Sequence, residues 1–373
     1  MFRLVALDMP GDSKFVDAMR RIWDAGDAVF PVDQRFPKPA RDELLRQIAP
    51  SAIIDSSGME SKLVGGREVE SGDALVIATS GSSGTPKGVV HTHNGIAASA
   101  SASNRRLGTT AEDHWLACLP LSHVGGMAVV VRALHAKCLL TVQPSFDVAM
   151  VEDAARHGAN MTSLVATTLR QIDASLFRTI LLGGAAAPDH VPTTVVVTYG
   201  MTESGGGVVY DGRPLDGVEI RLASDGEIQI KGLILFRQYR DGTRPSDPDG
   251  WFSTGDLGEF GKDGRLIVHG RRGDLIITGG EKVWPQQVEA ILGLHPRIDE
   301  VVVRGVLDAQ WGQQVVAWIT TKDDNKLSLP EIRDWVKQSL PAYCAPKLVN
   351  VVDSIPRTTS GKIDFKRLPT GNI

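Results

Sequence analysis

The stretch 73-DALVIATSGSSGTPKG-88 joins an apolar run to a loop of glycines, hydroxyl side chains and a lysine. The apolar part predicts a buried strand. The loop combines hydroxyl donors, permissive glycine backbone and a positive charge, which suits a clamp on a polyphosphate. It is not a Walker A loop, G-x-x-x-x-G-K-[ST], because Pro86 precedes Lys87 and Gly88 follows it. A solvated turn between a strand and a helix is the alternative.

The residues that follow this stretch alternate between short apolar runs and helix-like segments, as far as about Tyr199. This alternation predicts an α/β fold in which mostly parallel sheets are flanked by helices. Ligands of such sheets bind beyond the carboxyl ends of the strands. The glycine- and hydroxyl-rich loop falls at such an end, so the pattern favours a ligand site there.

The pattern changes after Gly205, where 217-GVEIRLASDGEIQIKG-232 and 260-FGKDGRLIVHG-270 alternate polar and apolar residues around Asp-Gly turns. This predicts antiparallel hairpins in a small β-rich part, residues 205–272. Beyond Gly273 a helix led by Pro285 precedes further extended and helical runs. We therefore predict a large N-terminal domain, residues 1–272, and a small mobile α+β domain, residues 273–373.

Composition restricts the class of protein further. The chain has 373 residues, 42% of them hydrophobic and 23% charged, with a formal net charge of −4. This is ordinary globular composition, and the charge does not favour nucleic acid or an anionic membrane as a partner. The N-terminus lacks a signal-peptide pattern, and no apolar run approaches the length of a membrane span. Three cysteines without metal-ligand spacing favour a reduced compartment, so we expect a cytoplasmic protein.

Further candidates for chemistry have ordinary structural explanations when each is taken alone. In 198-TYGMTESGGG-207, Glu203 suits either Mg²⁺ or a helix cap. Asp256 suits either ribose hydroxyls or a turn, and Arg271 suits either a ribose or a surface ion pair. Lys362 alone is typical of a solvated charge near a terminus.

Five stretches in this order resemble the acyl-adenylate-forming superfamily, which includes acyl-CoA synthetases, adenylation domains of peptide synthetases and firefly luciferase. They are 79-TSGSSGTPKGVVHTH-93, 199-YGMTESGGG-207, 253-STGDLGEF-260, 270-GRRGDLIITGGEKVWPQQVEAIL-292 and 356-PRTTSGKIDFKRL-368. The resemblance implies two steps. A small-molecule carboxylate first attacks the α-phosphate of ATP, with Mg²⁺ bound, to give acyl-AMP and pyrophosphate. The thiol of CoA then displaces AMP.

The resemblance also implies a role for each matching residue. The ATP phosphates would be held by Ser80, Gly81, Ser82, Ser83, Gly84, Thr85 and Lys87, and the adenine by Gly183, Gly184, Ala185, Tyr199 and Gly200. Thr202 would contact phosphate and Glu203 would bind Mg²⁺. Asp256 and Arg271 would take the ribose, and Lys362 would bridge the carboxylate and the α-phosphate. Gly279 and Gly280 would line the channel for CoA, with Gly273 as the hinge of a rotating C-terminal domain. Part of the usual N-terminal subdomain is missing by this comparison.

The substrate-informative stretch is 119-LPLSHVGGMAVVVRALHAKCLL-140. His123 lies where acyl-CoA ligases carry a gate to the acyl pocket, and Gly125 and Arg132 follow on the next predicted helix. The combination resembles the o-succinylbenzoate–CoA ligases of menaquinone biosynthesis. An arginine suits a substrate with a second carboxylate, unless Arg132 only snorkels from an apolar helix.

Several functional alternatives remain at this point. The acid could be another aryl or medium-chain acid, and the chain could load a carrier protein instead of CoA. It could also be a non-catalytic nucleotide-binding relative, although both Glu203 and Lys362 are present. The oligomeric state, homo-oligomer included, is left open.

Overall fold

The computed structural model describes residues 2–80, 86–184, 191–322, 327–357 and 363–369, and the side chain of Ser80 is not included. The chain divides into two compact units. The first comprises Met1–Arg221, Gln229–Ser253 and Phe260–Leu266, and the second comprises Leu222–Ile228, Thr254–Glu259 and Ile267–Ile373. The division predicted at residues 272 and 273 stays a prediction.

The helices and strands follow one another in chain order. The helices are α1 (Ser13–Asp24), α2 (Lys38–Ile48), α3 (His93–Leu107), α4 (Val124–Ala136), α5 (Val148–Arg156), α6 (Ala166–Leu169), α7 (Pro285–Gly293) and α8 (Leu329–Lys337). The strands as far as residue 142 are β1 (Leu4–Asp8), β2 (Ala28–Pro31), β3 (Ala52–Asp55), β4 (Glu60–Lys62), β5 (Asp73–Ser80), β6 (Pro86–Thr92), β7 (His114–Ala117) and β8 (Leu139–Val142). The next are β9 (Met161–Leu164), β10 (Thr179–Leu182), β11 (Val195–Met201), β12 (Gly206–Tyr210), β13 (Arg213–Pro214), β14 (Glu219–Leu222), β15 (Glu227–Lys231) and β16 (Gln238–Tyr239). The last are β17 (Phe252–Phe260), β18 (Leu266–Arg271), β19 (Ile276–Thr278), β20 (Glu281–Val283), β21 (Ile298–Asp308), β22 (Gly312–Thr321) and β23 (Leu348–Val351).

Two sheets form the body of the first unit. Their strand orders are β16-β6-β5-β2-β1-β3-β4 and β13-β12-β11-β10-β9-β7-β8. Strand β1 is parallel to β2 and β3, and β10 is parallel to β9 and β11. Several pairs toward the sheet edges, such as β11 with β12 and β3 with β4, are antiparallel, whereas the edge pair β7 with β8 is parallel. The predicted α/β class with mostly parallel sheets is therefore confirmed.

The segment after the glycine-rich loop differs from a simple strand-to-helix connection. Strand β5 ends at Ser80, and β6 begins at Pro86, its antiparallel partner in the ladder. Helix α3 begins only at His93, where Thr92 accepts a hydrogen bond from the Gly95 amide as the N-cap. Strand β6 was missed because its two buried valines are flanked by turn-like and polar residues that break a strand pattern.

The second unit is built around the sheet β20-β19-β22-β21, in which β23 also pairs with β22. Helix α7 has Pro285 in its first turn, as the sequence predicts. Helix α8 begins with a capping box in which Ser328 and Glu331 satisfy each other's backbone amides. Both helices bury apolar residues in one core with the sheet, which explains why this segment folds as a compact unit. A further sheet has the order β14-β15-β17-β18.

Within the ranges given above, the structure contains no helix long and apolar enough to cross a membrane.

Candidate active site

The turn that follows β11 presents the candidate magnesium ligand. Thr202–Ser204 form a single 3₁₀ turn whose hydroxyl at Ser204 donates to the Gly206 carbonyl at 2.8 Å. A Cβ atom at Gly200 would lie 1.9 Å from the same carbonyl, so this close approach of β11 and β12 requires glycine. The run of glycines in the motif therefore makes a tight corner that carries Thr202 and Glu203 at its tip.

The carboxylate of Glu203 is held by a residue that the sequence analysis did not single out. The hydroxyl of Tyr239 donates to Oε1 of Glu203 at 3.0 Å. The ammonium of Lys87 lies 4.8 Å from the centre of the Tyr239 ring, within range of a cation–π interaction. Tyr239 thus brings together a predicted phosphate ligand and the predicted magnesium ligand, which lie more than 100 residues apart in sequence. The sequence analysis also considered Glu203 as a helix cap. In the structure its carboxylate accepts a hydrogen bond from Tyr239 instead.

The donor set around Glu203 fits magnesium bound together with a nucleotide. No group of three or more His, Cys, Asp or Glu side chains in the described ranges could form a metal cage. Mg²⁺ commonly uses one or two carboxylates and completes its octahedron with phosphate oxygens and water. A single carboxylate therefore suits a metal that arrives with ATP.

The candidate adenine site lies at the ends of two neighbouring parallel strands. Gly183 and Gly184 follow β10, and Tyr199 and Gly200 lie near the end of β11. The Thr198 hydroxyl donates to the Leu182 carbonyl at 3.0 Å and ties these ends together. The structure therefore places these four predicted residues at one sheet edge, where ligands of parallel sheets bind.

The two candidate ribose ligands meet in the second unit. The Nε of Arg271 lies 2.9 Å from Oδ1 of Asp256, and its Nη1 donates to the Thr254 carbonyl at 2.9 Å. Asp256 is only 6% exposed. The arginine therefore makes an ion pair with a buried carboxylate rather than with a freely solvated surface partner, and the pair presents both a donor and an acceptor for hydroxyl groups.

The candidate CoA residues and the predicted hinge also lie in the second unit. Gly279 and Gly280 form the turn between β19 and β20, with φ values of +60° and +87° that favour glycine. The Gly279 amide donates to the Trp311 carbonyl at 2.9 Å. Gly273 lies in a 3₁₀ turn between β18 and β19. Among the described residues, no atom lies within 4 Å of a Cβ built on Gly273.

Some predicted residues lie outside the described residues. They are Gly81, Ser82, Ser83, Gly84, Thr85, Ala185 and Lys362, and only the backbone of Ser80 is described. Their assignments stay predictions.

The candidate acyl site is a narrow cavity of about 20 Å³ between helices α3 and α4, with room for about one water molecule. His91 of β6 and Gly205 close it from two further sides. Its wall is mostly apolar and comprises Leu75, His91, Ile96, Ser99, Ala100, Val124, Met127, Ala128, Val131, Arg132 and Gly205. A concave, mainly apolar site with a few polar groups is typical of small-molecule binding.

Arg132 is the buried charge of this cavity. It is 5% exposed, its guanidinium lies 5.6 Å from the centre of the Trp115 ring, and Nη1 lies 3.4 Å from the Ser163 hydroxyl. No carboxylate lies within ion-pair distance of it among the residues that the structure describes. A buried cation without an anionic partner is costly. The side chain therefore does not simply snorkel to solvent, and an anion bound in the cavity would compensate its charge.

His123 sits at the N-terminus of α4 and contacts a second pair that the sequence analysis missed. Its Nε2 lies 3.3 Å from Oδ2 of Asp33 and beside the guanidinium of Arg35. Arg35 donates three hydrogen bonds to Asp33, two from its guanidinium at 2.9 and 2.6 Å and one from its backbone amide at 3.0 Å. Burial would raise the pKa of Asp33, but the hydrogen bonds from Arg35 and His123 lower it well below its usual range. The result is a charged Asp33 that fixes His123.

Gly125 and its neighbour explain how α4 begins so close to the preceding loop. A Cβ at Gly126 would lie 2.4 Å from the Leu119 carbonyl, whereas one at Gly125 would meet only the Leu119 side chain at 3.6 Å. Gly126 is therefore required by packing, and Gly125 leaves space at the same helix end. The two positions have different reasons for being glycine.

Comparisons with known proteins agree with this geometry. Residues 64–239 match the family model for AMP-binding enzymes, and residues 287–362 match the model for the C-terminal domain of AMP-binding enzymes. The probable 2-succinylbenzoate–CoA ligase of Mycobacterium tuberculosis H37Rv is 38% identical over 361 residues, which cover 87% of this chain and 92% of that protein. The 2-succinylbenzoate–CoA ligase of Bacillus anthracis A0248 is 33% identical over 328 residues, covering 77% of this chain and 68% of that protein.

A solved structure shows the same fold over nearly the whole length. The o-succinylbenzoate CoA synthetase of Bacillus subtilis, in complex with its acyl-adenylate intermediate, superposes with a TM-score of 0.87 at 27% identity, covering 99% of this chain and 88% of that one. The same enzyme is known with ATP and magnesium, with a TM-score of 0.85 at 28% identity, covering 98% and 89% of the two chains. The chain belongs to the family of AMP-binding enzymes. Within that family its similarity is to the 2-succinylbenzoate–CoA ligases.

Proposed function

We propose that the protein is an ATP-dependent ligase that joins 2-succinylbenzoate to CoA through an acyl-AMP intermediate. A carboxylate oxygen of the succinyl arm attacks the α-phosphorus of ATP, and pyrophosphate leaves with the bonding electrons. The thiol sulfur of CoA then attacks the acyl carbon, and AMP leaves. Family membership and the similarity to 2-succinylbenzoate–CoA ligases support this reaction class.

The described residues would serve the first step in two places. Glu203 would hold Mg²⁺, which neutralises the phosphate charge when it is bound, and Tyr239 orients that carboxylate. In the second unit the Asp256–Arg271 pair would bind hydroxyl groups of the nucleotide. Lys362 would compensate the negative charge that develops at the α-phosphate, as the resemblance implies.

The observation that carries the substrate assignment is the buried Arg132. Two carboxylates distinguish 2-succinylbenzoate from simple aryl and fatty acids, and only one of them reacts. The ring carboxylate would supply the anion that Arg132 lacks among the described residues, in a dry site where a bidentate pair is strong. Arg132 lies on α4, nine residues after the N-cap residue His123, and its guanidinium borders the cavity.

The test compares 2-succinylbenzoate with 4-oxo-4-phenylbutanoate, which lacks only the ring carboxylate. Arg132→Met keeps an unbranched apolar side chain but removes the charge. It should lower kcat/KM for the dicarboxylate about 100-fold, because one partner of a buried charge pair is removed. The KM for ATP and kcat/KM for the monocarboxylate should change less than threefold. As a control, Arg178→Met removes a partly exposed guanidinium that pairs with Asp113 at 2.9 Å, and it should leave the ratio of kcat/KM for the two acids unchanged. An equal loss on both acids in Arg132→Met would contradict the assignment.

A further inference from the structure

Glu227, the first residue of β15, contacts both segments that carry the candidate ribose ligands, and neither the motifs nor the comparisons give it a role. Its Oε1 accepts a hydrogen bond from the Gly255 amide at 2.9 Å, and its Oε2 lies 2.9 Å from Nη2 of Arg272. Gly255 directly precedes Asp256, and Arg272 directly follows Arg271. One carboxylate therefore joins the residue before one candidate ligand to the residue after the other.

Strand β15 holds the segment that carries Asp256 at two adjacent points. The Thr254 hydroxyl donates to the Ile228 carbonyl at 2.8 Å and accepts a hydrogen bond from the Asp256 amide at 3.0 Å. The next contact along the strand is that of Glu227 with the Gly255 amide. Of these two residues of β15, Glu227 is the one that also contacts Arg272, so it links β15 to both segments.

The contacts of Glu227 are better shielded from water than those of the second carboxylate on the same arginine. The Glu227 side chain is 15% exposed, whereas that of Asp225, which lies 2.8 Å from Nη2 of Arg272, is 53% exposed. Ion pairs in solvent contribute little to stability, whereas a hydrogen bond from an amide to a shielded carboxylate contributes more. We therefore expect Glu227 rather than Asp225 to keep the two segments together.

We propose that Glu227 is a positioning residue for the nucleotide, which holds Asp256 and Arg271 in the arrangement that binds the ribose hydroxyls. The inference rests on the proposed function, which requires a bound nucleotide. Without Glu227 the two segments can move apart, and a displacement of about 1 Å is enough to impair groups that position a ligand. Contacts with adenine and phosphate involve other residues, so the loss should fall on recognition of the hydroxyl groups.

The experiment measures equilibrium binding of AMP and of 2′,3′-dideoxy-AMP to the full chain by calorimetry, without acid or CoA. The unsubstituted protein should bind AMP at least about tenfold more tightly, because the dideoxy nucleotide lacks the hydroxyls that pair with Asp256 and Arg271. Glu227→Met removes both contacts of the carboxylate with little change in volume. It should weaken binding of AMP about tenfold and change binding of the dideoxy nucleotide less than about threefold, so that the preference is lost.

Two milder variants each break one of the two contacts. Glu227→Gln can still accept a hydrogen bond from the Gly255 amide but cannot form the ion pair, and Arg272→Met leaves the amide contact in place. Both should retain part of the preference for AMP, and both can be measured if Glu227→Met does not fold. An unchanged preference in every variant that folds, or equal losses of affinity for the two nucleotides, would overturn the inference.

A matched control removes a carboxylate elsewhere in the second unit. Glu331 accepts a hydrogen bond from the Ser328 amide at 2.8 Å at the beginning of α8. Glu331→Met should lower the thermal midpoint but keep the full preference for AMP, because it breaks a helix cap and leaves the ribose ligands in place. If the control loses the preference as Glu227→Met does, lost stability alone explains the result and the inference is overturned.

Failure of the proposed function has a different signature. Binding of AMP with the expected preference, together with no turnover of 2-succinylbenzoate, would contradict the ligase activity and leave the role of Glu227 intact. Equal binding of the two nucleotides by the unsubstituted protein, or binding of neither, would overturn the role of Glu227 whether or not the acid is turned over.

Discussion

The carboxylate of Asp33, at the end of a buried strand, lies 3.3 Å from Nε2 of His123 at the beginning of helix α4. The two residues are 90 positions apart in sequence, yet Asp33 is only 5% exposed and Arg35 completes the cluster. The carboxylate therefore holds the His123 ring at the beginning of α4, and its charge is stabilised by the same contacts.

Asp33→Asn tests this positioning role. The amide keeps the size of the side chain but removes the charge that holds His123 and Arg35. We expect kcat/KM for the acid to fall 10- to 100-fold, since displacing a group at a reacting site by about 1 Å has effects of that size. The KM for ATP should change little, and steady-state kinetics with each substrate varied in turn would separate the two effects.

The matched control is Asp27→Asn. Asp27 is also 5% exposed and pairs with Arg3 at 2.8 Å. This variant should lose thermal stability but keep its kcat/KM. Similar catalytic losses in both variants would show that Asp33 acts only through stability.

Tyr239→Phe tests the support of the magnesium ligand. The variant removes the hydroxyl that bonds Glu203 but keeps the ring beside Lys87 and against Phe236. Since hydrogen bonds to charged groups contribute about 1.5–3 kcal/mol, the KM for ATP at fixed Mg²⁺ should rise about tenfold or more.

Tyr210→Phe is the control for this variant. It removes a buried hydroxyl that lies 2.8 Å from the Ser103 hydroxyl and should affect stability without changing the dependence on Mg²⁺. An unaltered KM for ATP in Tyr239→Phe would refute the proposed contact with the metal ligand.

Lys362→Ala tests a role that comes from the resemblance alone, because this residue lies outside the described residues. The variant should abolish formation of acyl-AMP, since the lysine compensates charge that develops at phosphorus. Transfer of chemically supplied acyl-AMP to CoA should continue at close to the normal rate. The two half-reactions can be followed separately by pyrophosphate release and by CoA-ester formation, and equal loss of both would argue against the role.

Glu289→Gln tests whether ionisation of the buried Glu289 carboxyl lowers the stability of the second unit as the pH rises. Burial, with a smaller contribution from the charge of Asp274, raises the pKa of Glu289 to about 7. The hydrogen bond that Glu289 accepts from the Val303 amide partly opposes this rise. Because the folded pKa lies above that of the unfolded chain, the stability contribution of Glu289 is full below about pH 4.5 and is lost as the pH rises through 7. Glutamine can still accept from Val303, so urea unfolding at pH 8 should show a gain of about 1–3 kcal/mol.

The same variant should show little or no gain at about pH 3.5, where the carboxyl is mostly neutral in both states. Glu281→Gln changes an exposed carboxylate of the same unit and serves as the control, with an expected change below about 0.5 kcal/mol. A gain that is equal at both pH values would rule out ionisation of Glu289 as its cause.

Much of the fold and the nucleotide-side motifs could be predicted because their signals are local. The alternation of runs indicated the parallel sheets, and the glycine-rich turn after β11 indicated where Thr202 and Glu203 lie. Tyr239 and Asp33 could not be found in this way, because each contacts a residue that is distant in sequence. Tyr239 lies 36 residues from Glu203, and Asp33 lies 90 residues from His123. A short D-x-R stretch after a buried strand was the only local signal for Asp33 and Arg35.

His91 illustrates a different limit of sequence reasoning. The pattern around it is that of a polar stretch before a helix, and nothing in the pattern shows that the ring is buried in the wall of a cavity. That property depends on β6 lying inside the sheet and on α4 packing across it. The acyl pocket was therefore predicted from His123 and Arg132 alone, and one of its polar groups was overlooked.

The most direct test of the proposed 2-succinylbenzoate–CoA ligase activity is AMP formation by the purified protein with ATP and Mg²⁺, measured with and without CoA. The acids compared are 2-succinylbenzoate, benzoate and octanoate. We expect CoA-dependent turnover of 2-succinylbenzoate with a kcat/KM at least about 100-fold above that of the other two acids. Only this acid carries a second carboxylate that can pair with Arg132. A preference for benzoate or octanoate, or the absence of turnover with all three, would contradict it.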